Sequence, residues 1–308
     1  MLAVSLGDPA GIGAEVVAKA LAETPRDCRV YGSAAAFARA WAAWGRGAAP
    51  EVVEVAALAE EDLVPGQPTD AGLRCSAQAV LAAVRDVQAG RARALVTAPL
   101  VKRALGLVGS KAPGHTELLQ ELSGAPRVAM MLAGDKLRVV LATTHCALRE
   151  VPERLRRADL PGLCALVDRE LRGRFGLAAP RLALAALNPH GGEGGLFGDE
   201  EQTLLAPAVA AARAAGVDVR GPFPADTLFA RAVRGEFDVV VGLYHDQALI
   251  PLKLLHFGGG VNVTLGLPFV RTSPDHGVAY DIAGAGRADA SSMALAMRLA
   301  EELSRRGG

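Results

Sequence analysis

MLAVSLGDPAGIGAEVVAKALAE, residues 1–23, reads as a short apolar strand over 2–6, a glycine-rich turn over Gly7–Gly13 and a helix over 14–23. A buried strand feeding directly into a helix is the building unit of a parallel α/β sheet. Glycines in such a turn allow tight bending and close backbone approach, and the helix N-terminus behind it favours anions. No Lys-Ser/Thr pair follows and the glycines lack GxGxxG spacing, so the turn is neither a Walker loop nor a dinucleotide fingerprint. It is either a ligand loop or a plain strand–helix connection.

The same alternation continues along the chain. Apolar runs over 29–31, 52–55, 95–97, 128–132, 137–142, 182–187, 239–243 and 261–265 read as further strands. Helical periodicity fits 34–44, 71–88, 200–215 and 288–304. The runs at 128–132 and 137–142, joined by a segment containing Gly134-Asp135, predict a hairpin. The expected class is therefore α/β with a mixed, mostly parallel sheet.

Composition excludes several functions. Of 308 residues, 51% are hydrophobic and 21% charged, which argues for a packed core and against disorder. Lys plus Arg equals Asp plus Glu at 33 each, so no global field recruits nucleic acid or an acidic membrane. The N-terminus lacks a basic signal-peptide region, and no apolar stretch is long enough to span a bilayer. Cys28, Cys75, Cys146 and Cys164 show no CxxC spacing and read as thiols of a reducing cytoplasm.

Polar motifs follow the strands, where α/β proteins place their sites. Thr143-Thr144-His145, Asn188-Pro189-His190-Gly191-Gly192-Glu193 and Tyr244-His245-Asp246-Gln247 each set a histidine at a strand end. Three imidazoles in equivalent positions suit a divalent metal, although a lone histidine after a strand is usually structural. Asp246 is placed to hold a histidine tautomer. Thr97-Ala98-Pro99 closes another strand. Pro113-Gly114-His115-Thr116-Glu117 opens a helix, where His115 and Thr116 offer donors to an anion or Thr116 serves as N-cap. Asp226, in Gly221–Phe229, is either an N-cap or a carboxylate aimed at a ligand. Lys253, Asn262 and Arg271 combine a point charge, an amide and a guanidinium fork, a set suited to a phosphorylated hydroxy acid. The glycine-rich segment 275–289 is either a backbone-lined nucleotide site or a structural loop.

With GDPAGIG, PGHTE, NPHGGEGG, GPFPADTLF, YHDQ and GVNVTLGLPFVRTSPDHG in order from Gly7 onward, the chain resembles the 4-hydroxythreonine-4-phosphate dehydrogenase family of vitamin B6 biosynthesis. The resemblance implies an isocitrate/isopropylmalate dehydrogenase-like fold with two α/β domains, an inter-domain cleft and a homodimer. It places a nucleotide-binding domain at 1–120 plus 262–308, and a metal-binding and dimerisation domain at 121–261. It implies that His145, His190 and His245 hold one divalent metal (Zn, Co, Mg, Mn or Ni), with His245 supplied by the partner subunit. His115, Thr116, Lys253, Asn262 and Arg271 match substrate-binding positions, and Lys253 and Asp226 are candidate catalytic groups.

The segment holding His276, Gly277, Asp281, Ile282 and Gly284 is similar to the adenosine loop of the isopropylmalate dehydrogenases. There an acid accepts hydrogen bonds from the ribose, so Asp281 favours NAD over NADP. The implied reaction is oxidation of 4-phosphohydroxy-L-threonine at its 3-hydroxyl followed by loss of carbon dioxide. A phospho-threonate or phospho-erythronate dehydrogenase is the alternative. The sequence departs from many relatives at Cys146-Ala147-Leu148 and at Pro274, which bears on sub-family but touches no matched ligand. A metal-dependent hydrolase and a non-catalytic binding protein are the readings from other classes.

Overall fold

Short runs of valine, leucine and alanine, each closed by glycine, proline or a polar pair, favour strands too brief to stand alone. In the computed structural model, which describes residues 1–256 and 258–306, these runs pair into sheets. In chain order the strands are β1 (Leu2–Ser5), β2 (Cys28–Gly32), β3 (Glu51–Glu54), β4 (Ala94–Thr97), β5 (Ala129–Ala133), β6 (Arg138–Leu141), β7 (Leu182–Ala185), β8 (Val219–Phe223), β9 (Val239–Gly242), β10 (Val261–Leu265) and β11 (Val270–Pro274). The chain divides into two compact units, Met1–Val128 with Val261–Arg306, and Ala129–Gly260.

In the first unit the strand order is β3-β2-β1-β4-β11-β10. All neighbours are parallel except β10, which runs antiparallel to β11. Ala3 and Leu95, in register on β1 and β4, face a cluster built from the helices Asp70–Gln88, Lys102–Leu107 and His115–Ser123. The opposite face meets the helix Ser291–Arg306, whose Ala296 carbonyl accepts a hydrogen bond from the Thr272 hydroxyl at 2.8 Å. Two helices start where a hydroxyl satisfies a free N–H. Ser33 caps Ala34–Trp44 through Ala36 N, and Thr69 caps Asp70–Gln88 through Gly72 N.

The second unit orders its strands β5-β6-β9-β7-β8. The expected hairpin is present, with β5 and β6 antiparallel and Met131 opposite Val140. The other neighbours are parallel. The helices Ala225–Val233 and His245–Leu255 bury Leu228, Phe229, Ala248, Leu249 and Leu252 against Val139, Ala183 and Val240 of the sheet. Removing one such buried leucine typically costs about 2–5 kcal/mol.

Two strands and several helices were not read from the sequence. Strand β8 carries Gly221 and Pro222, which interrupt a strand pattern, yet it lies at the end of the order, where a proline is tolerated. Strand β11 carries Arg271 in its middle, and the charge conceals an otherwise buried strand. Pro152 and Pro161 break the apolar pattern but sit in the first turns of Val151–Arg157 and Leu160–Gly173, where no N–H is required. The helix expected from 200 begins with a π-turn, Glu201–Leu205, before the α-helix Ala206–Ala214. Glu201 there turns its carboxylate back onto Leu187 N and Asn188 N, both at 2.8 Å. Among the described residues no helix is long and apolar enough to cross a membrane.

Candidate functional site

In the first unit the alternation of side chains puts Asn262 and Thr264 of β10 and Arg271 and Ser273 of β11 on one face, with Asn262 opposite Ser273. Arg271 is 2% exposed. Its two terminal nitrogens donate to the Thr264 hydroxyl at 3.0 Å and the Thr97 hydroxyl at 2.6 Å. Its Nε has no partner, and burial alone pushes the group down to about 10, so it stays a cation at neutral pH. His115 opens the helix His115–Ser123, with Gly114 as N-cap. Thr116 therefore lies inside the first turn, and the alternative of Thr116 as N-cap is corrected. Burial and then the Arg271 charge push His115 down to about 3, so the imidazole is neutral. Both His115 Nε2 and Asn262 Oδ1 are inaccessible and unpartnered.

Orphaned buried polar atoms are uncommon in folded proteins because each carries an unrecovered desolvation cost. Two of them in the same unit as the Arg271 guanidinium, which has no acid partner among the described residues, make a set suited to an anion. Asn262 Oδ1 adds an acceptor for a hydroxyl or ammonium group. The expected substrate residues His115, Thr116, Asn262 and Arg271 all belong to this unit, whereas Lys253 belongs to the other.

The segment after β11 is fastened to the N-terminal strand–helix turn. Val278 O accepts from Ile12 N at 3.0 Å, and the Tyr280 hydroxyl donates to the buried Asp8 carboxylate, which also accepts from Ala10 N. Lys19 donates to the carbonyls of Gly286 and Ala288, both at 2.8 Å, while Glu15 accepts from Ala288 N. The glycines of the first turn serve this packing. A Cβ on Gly7, whose φ is +70, would lie 2.1 Å from Pro99 O, and one on Gly13 would lie 1.9 Å from Leu6 O. Within the loop, Asp281 and Gly284 are exposed and Ile282 is half-buried. Gly277 accepts at its carbonyl from the His276 side, where Nδ1 stands 3.0 Å away, and His276 Nε2 is buried without a partner. Ala279 holds the left-handed conformation, φ 45. A strained, glycine-rich loop with an unsatisfied imidazole nitrogen fits a bound nucleotide.

In the second unit β6, β9 and β7 are parallel neighbours, so the histidine segments follow adjacent strand ends. His145 and His245 bring their ring centroids to 5.4 Å. His245 Nδ1 meets Asp246 Oδ1 at 2.7 Å, so Nε2 is the nitrogen that could face a metal. Thr143 and Gln247 lock the flanking backbone: the Thr143 hydroxyl donates to Leu243 O, and Gln247 accepts from Leu243 N and donates to Ala186 O, each at 2.7 Å.

His190 lies in a left-handed run over 190–194, with φ 54 at His190 and φ 42 at Glu193. Each such non-glycine residue costs about 1–2 kcal/mol. Glu193 Oε1 meets His190 Nδ1 at 2.7 Å, and Phe197 stands edge-on with its ring centroid 6.4 Å away. Glu201 anchors the run's base. Burial pushes its carboxyl up, but the bonds from Asn188 and Leu187 outweigh that and hold it below the usual range. No three metal-ligating side chains converge among the described residues of one chain. The imidazoles, two with carboxylate partners, fit a divalent ion as a donor set. The expectation that His245 is supplied by a partner subunit concerns an assembly, and a single chain does not test it.

Lys253 is exposed on the helix that opens at His245, about 12 Å further along at 1.5 Å per residue. Asp226 is exposed at the second position of its helix, with Pro224 as N-cap, so the N-cap alternative is corrected there too. Sequence reading named candidate residues but not the contacts that hold them, made by Thr97, Thr264, Glu201, Gln247 and the Asp8–Tyr280 bond. The only signal for the first two was polar residues alternating on strands that are otherwise apolar.

Residues 12–300 match the family described as pyridoxal phosphate biosynthetic protein PdxA. A 4-hydroxythreonine-4-phosphate dehydrogenase of Geobacter metallireducens is 48% identical over 99% of this chain and 95% of its own length. A D-threonate 4-phosphate dehydrogenase of Salmonella typhimurium is 43% identical over 98% of each. The crystal structure of a 4-hydroxythreonine-4-phosphate dehydrogenase from Klebsiella pneumoniae superposes with a TM-score of 0.85 at 41% identity, covering 99% of both chains.

Proposed function

The chain belongs to the pyridoxal phosphate biosynthetic protein PdxA family, and on that premise we propose that it is an NAD-dependent oxidoreductase of 4-phosphohydroxy-L-threonine. The reaction removes the 3-hydroxyl proton and the C3 hydride, leaving a 3-keto acid. Its carboxylate, now β to a carbonyl, departs as carbon dioxide, and the remaining carbanion takes up a proton to give 3-amino-2-oxopropyl phosphate, on the route to pyridoxal 5'-phosphate.

The observation that carries this reading is Arg271, a buried cation with no counter-ion among the described residues, and with two unpartnered polar atoms in the same unit. Arg271 and neutral His115 hold an anionic end of the substrate, Asn262 accepts from a hydroxyl or ammonium group, and Thr116 offers its hydroxyl from the first helical turn. Lys253 adds a second positive charge or takes the hydroxyl proton. Asp226 is a further candidate for proton transfer. His145, His190 and His245 would hold the divalent ion, and the loop containing His276, Gly277, Asp281, Ile282 and Gly284 would hold the dinucleotide. When bound, these groups supply a positive charge beside the reacting oxygen and a hydride acceptor.

A homodimer completes the assembly. Of seven large hydrophobic side chains exposed among the described residues, six belong to the second unit. They cluster along the chain with the histidines: Leu148 after His145, Leu196 and Phe197 after His190, and Ile250, Leu254 and Leu255 after His245. Such residues at a site's edge favour burial by a second copy. The four free cysteines suit a cytoplasmic setting.

The test is formation of NADH by metal-replete protein on 4-phosphohydroxy-L-threonine, 4-phospho-threonate and 4-phospho-erythronate. Highest kcat/KM on the first is expected. Preference for 4-phospho-threonate would move the chain to the activity named for the Salmonella relative, and turnover without nicotinamide would sink the dehydrogenase reading. Asp281→Lys should shift the kcat/KM ratio toward NADP; an unchanged ratio removes Asp281 from the ribose site.

A further inference from the structure

Among the described residues Arg271 is held by two neutral hydroxyls and by no acid, and we propose that Thr97 and Thr264 are positioning residues that aim its guanidinium at the substrate while leaving its charge unspent. The inference rests on Arg271 binding the anionic end of the substrate, as set out above.

The geometry is specific. Strand β11 lies between β4 and β10, and Arg271 reaches to both neighbours, to Thr97 of β4 and Thr264 of β10. Thr97 is 1% exposed and Thr264 fully buried. Their β-branched side chains are stiff at χ1, so their oxygens are fixed by the sheet rather than by flexible stems. Two of the five guanidinium N–H groups are taken up, which sets the plane of the fork. Among the described residues the Nε edge carries no hydrogen-bond partner.

The chemistry of the two anchors matters as much as their placement. A hydroxyl accepts a hydrogen bond without cancelling charge, whereas a carboxylate at either position would form a bidentate pair and neutralise the fork. Each hydroxyl also keeps its own proton to donate. Ser5, in register with Thr97 on the adjacent strand, buries a further unpartnered hydroxyl on the same face. The chamber is thus rich in donors around one uncompensated cation, the opposite of a structural salt bridge.

The experiment uses the full-length protein in its native assembly. It measures the Kd of inorganic phosphate by calorimetry, and KM and kcat for the phosphorylated substrate and for NAD. Thr97→Val and Thr264→Val should each raise the phosphate Kd and the substrate KM by about tenfold, as expected for losing one hydrogen bond to a charged group. The KM for NAD and kcat should stay within about twofold, and Thr97→Ser should restore wild-type values. Thr97→Asp should remove phosphate affinity altogether while the protein remains folded. If Thr97→Val does not fold, Thr264→Val is read by the same criteria. Wild-type phosphate affinity that survives Thr97→Val or Thr97→Asp unchanged overturns the inference alone. A wild-type protein that turns over substrate but has no phosphate affinity overturns the Arg271 assignment and the inference with it.

Discussion

The Arg271 pocket and the histidine-bearing strand ends solve opposite problems. The first is buried, with Arg271 fixed by hydroxyls of two neighbouring strands and three polar atoms lacking any partner among the described residues. The second is open: His190 is exposed in a left-handed run, and Leu254 at 81% and Leu196 at 72% exposure stand uncovered nearby in sequence. One region draws its buried polar groups from a single unit of the chain. The other leaves His190 and several large apolar side chains exposed. Preorganisation is thus concentrated where a charge is buried, and the exposed apolar side chains put the histidine region where the proposed dimer would form.

The largest effect should come from breaking the first region. Arg271→Met removes a buried cation that the substrate alone compensates, so kcat/KM should fall about a thousandfold, the scale of the 3–5 kcal/mol attached to stripping a buried charged partner. The same exchange should raise the Tm of ligand-free protein, because the fold no longer buries an unpaired charge. A variant both inactive and less stable would mark Arg271 as a structural residue. Calorimetric scans with and without phosphate sharpen the point: phosphate should stabilise the wild type and leave the variant unmoved.

The second region can be broken by mixing. In the proposed dimer His145 and His190 come from one subunit and His245 from the other. Exchange between His145→Ala and His245→Ala dimers should then regenerate one intact site per heterodimer, recovering up to about a quarter of wild-type activity in an equal mixture. Exchange between His145→Ala and His190→Ala should recover none. The reverse outcome would put His190 on the partner's side.

Most of the fold was legible because burial on both faces writes continuous apolar runs, as at Val239–Gly242 and Val139–Leu141. The segment Val270–Pro274 was not, because the residue that makes it functional, Arg271, breaks the run that would mark it as a strand. Individual ligand candidates were legible as polar residues at strand ends. Their supports were not: Thr97 touches Arg271 across 174 positions, and Gln247 reaches Ala186 across 61. Separation of that order leaves no periodic trace. The glycines of residues 7–13 were legible as a turn, but their necessity comes from Pro99 and Leu6 carbonyls that only the folded chain brings close.

The smallest expected effect tests whether the first region keeps its histidine neutral. Burial and Arg271 hold His115 near 3 in the folded protein, below its ordinary value of 6.5. Between those values the unfolded chain binds a proton that the native chain refuses, so stability is full above about 6.5 and is lost as pH falls toward 3. His115→Gln lacks that proton. The Tm difference between wild type and variant should therefore shift in the variant's favour as pH is lowered from 7.5 to 4.5. Phosphate in the pocket adds negative charge beside the ring and favours its protonated form, so it should reduce the shift. A Tm difference independent of pH would mean that His115 titrates alike in the folded and unfolded chain, and that the pocket is wetter than its orphaned Nε2 indicates.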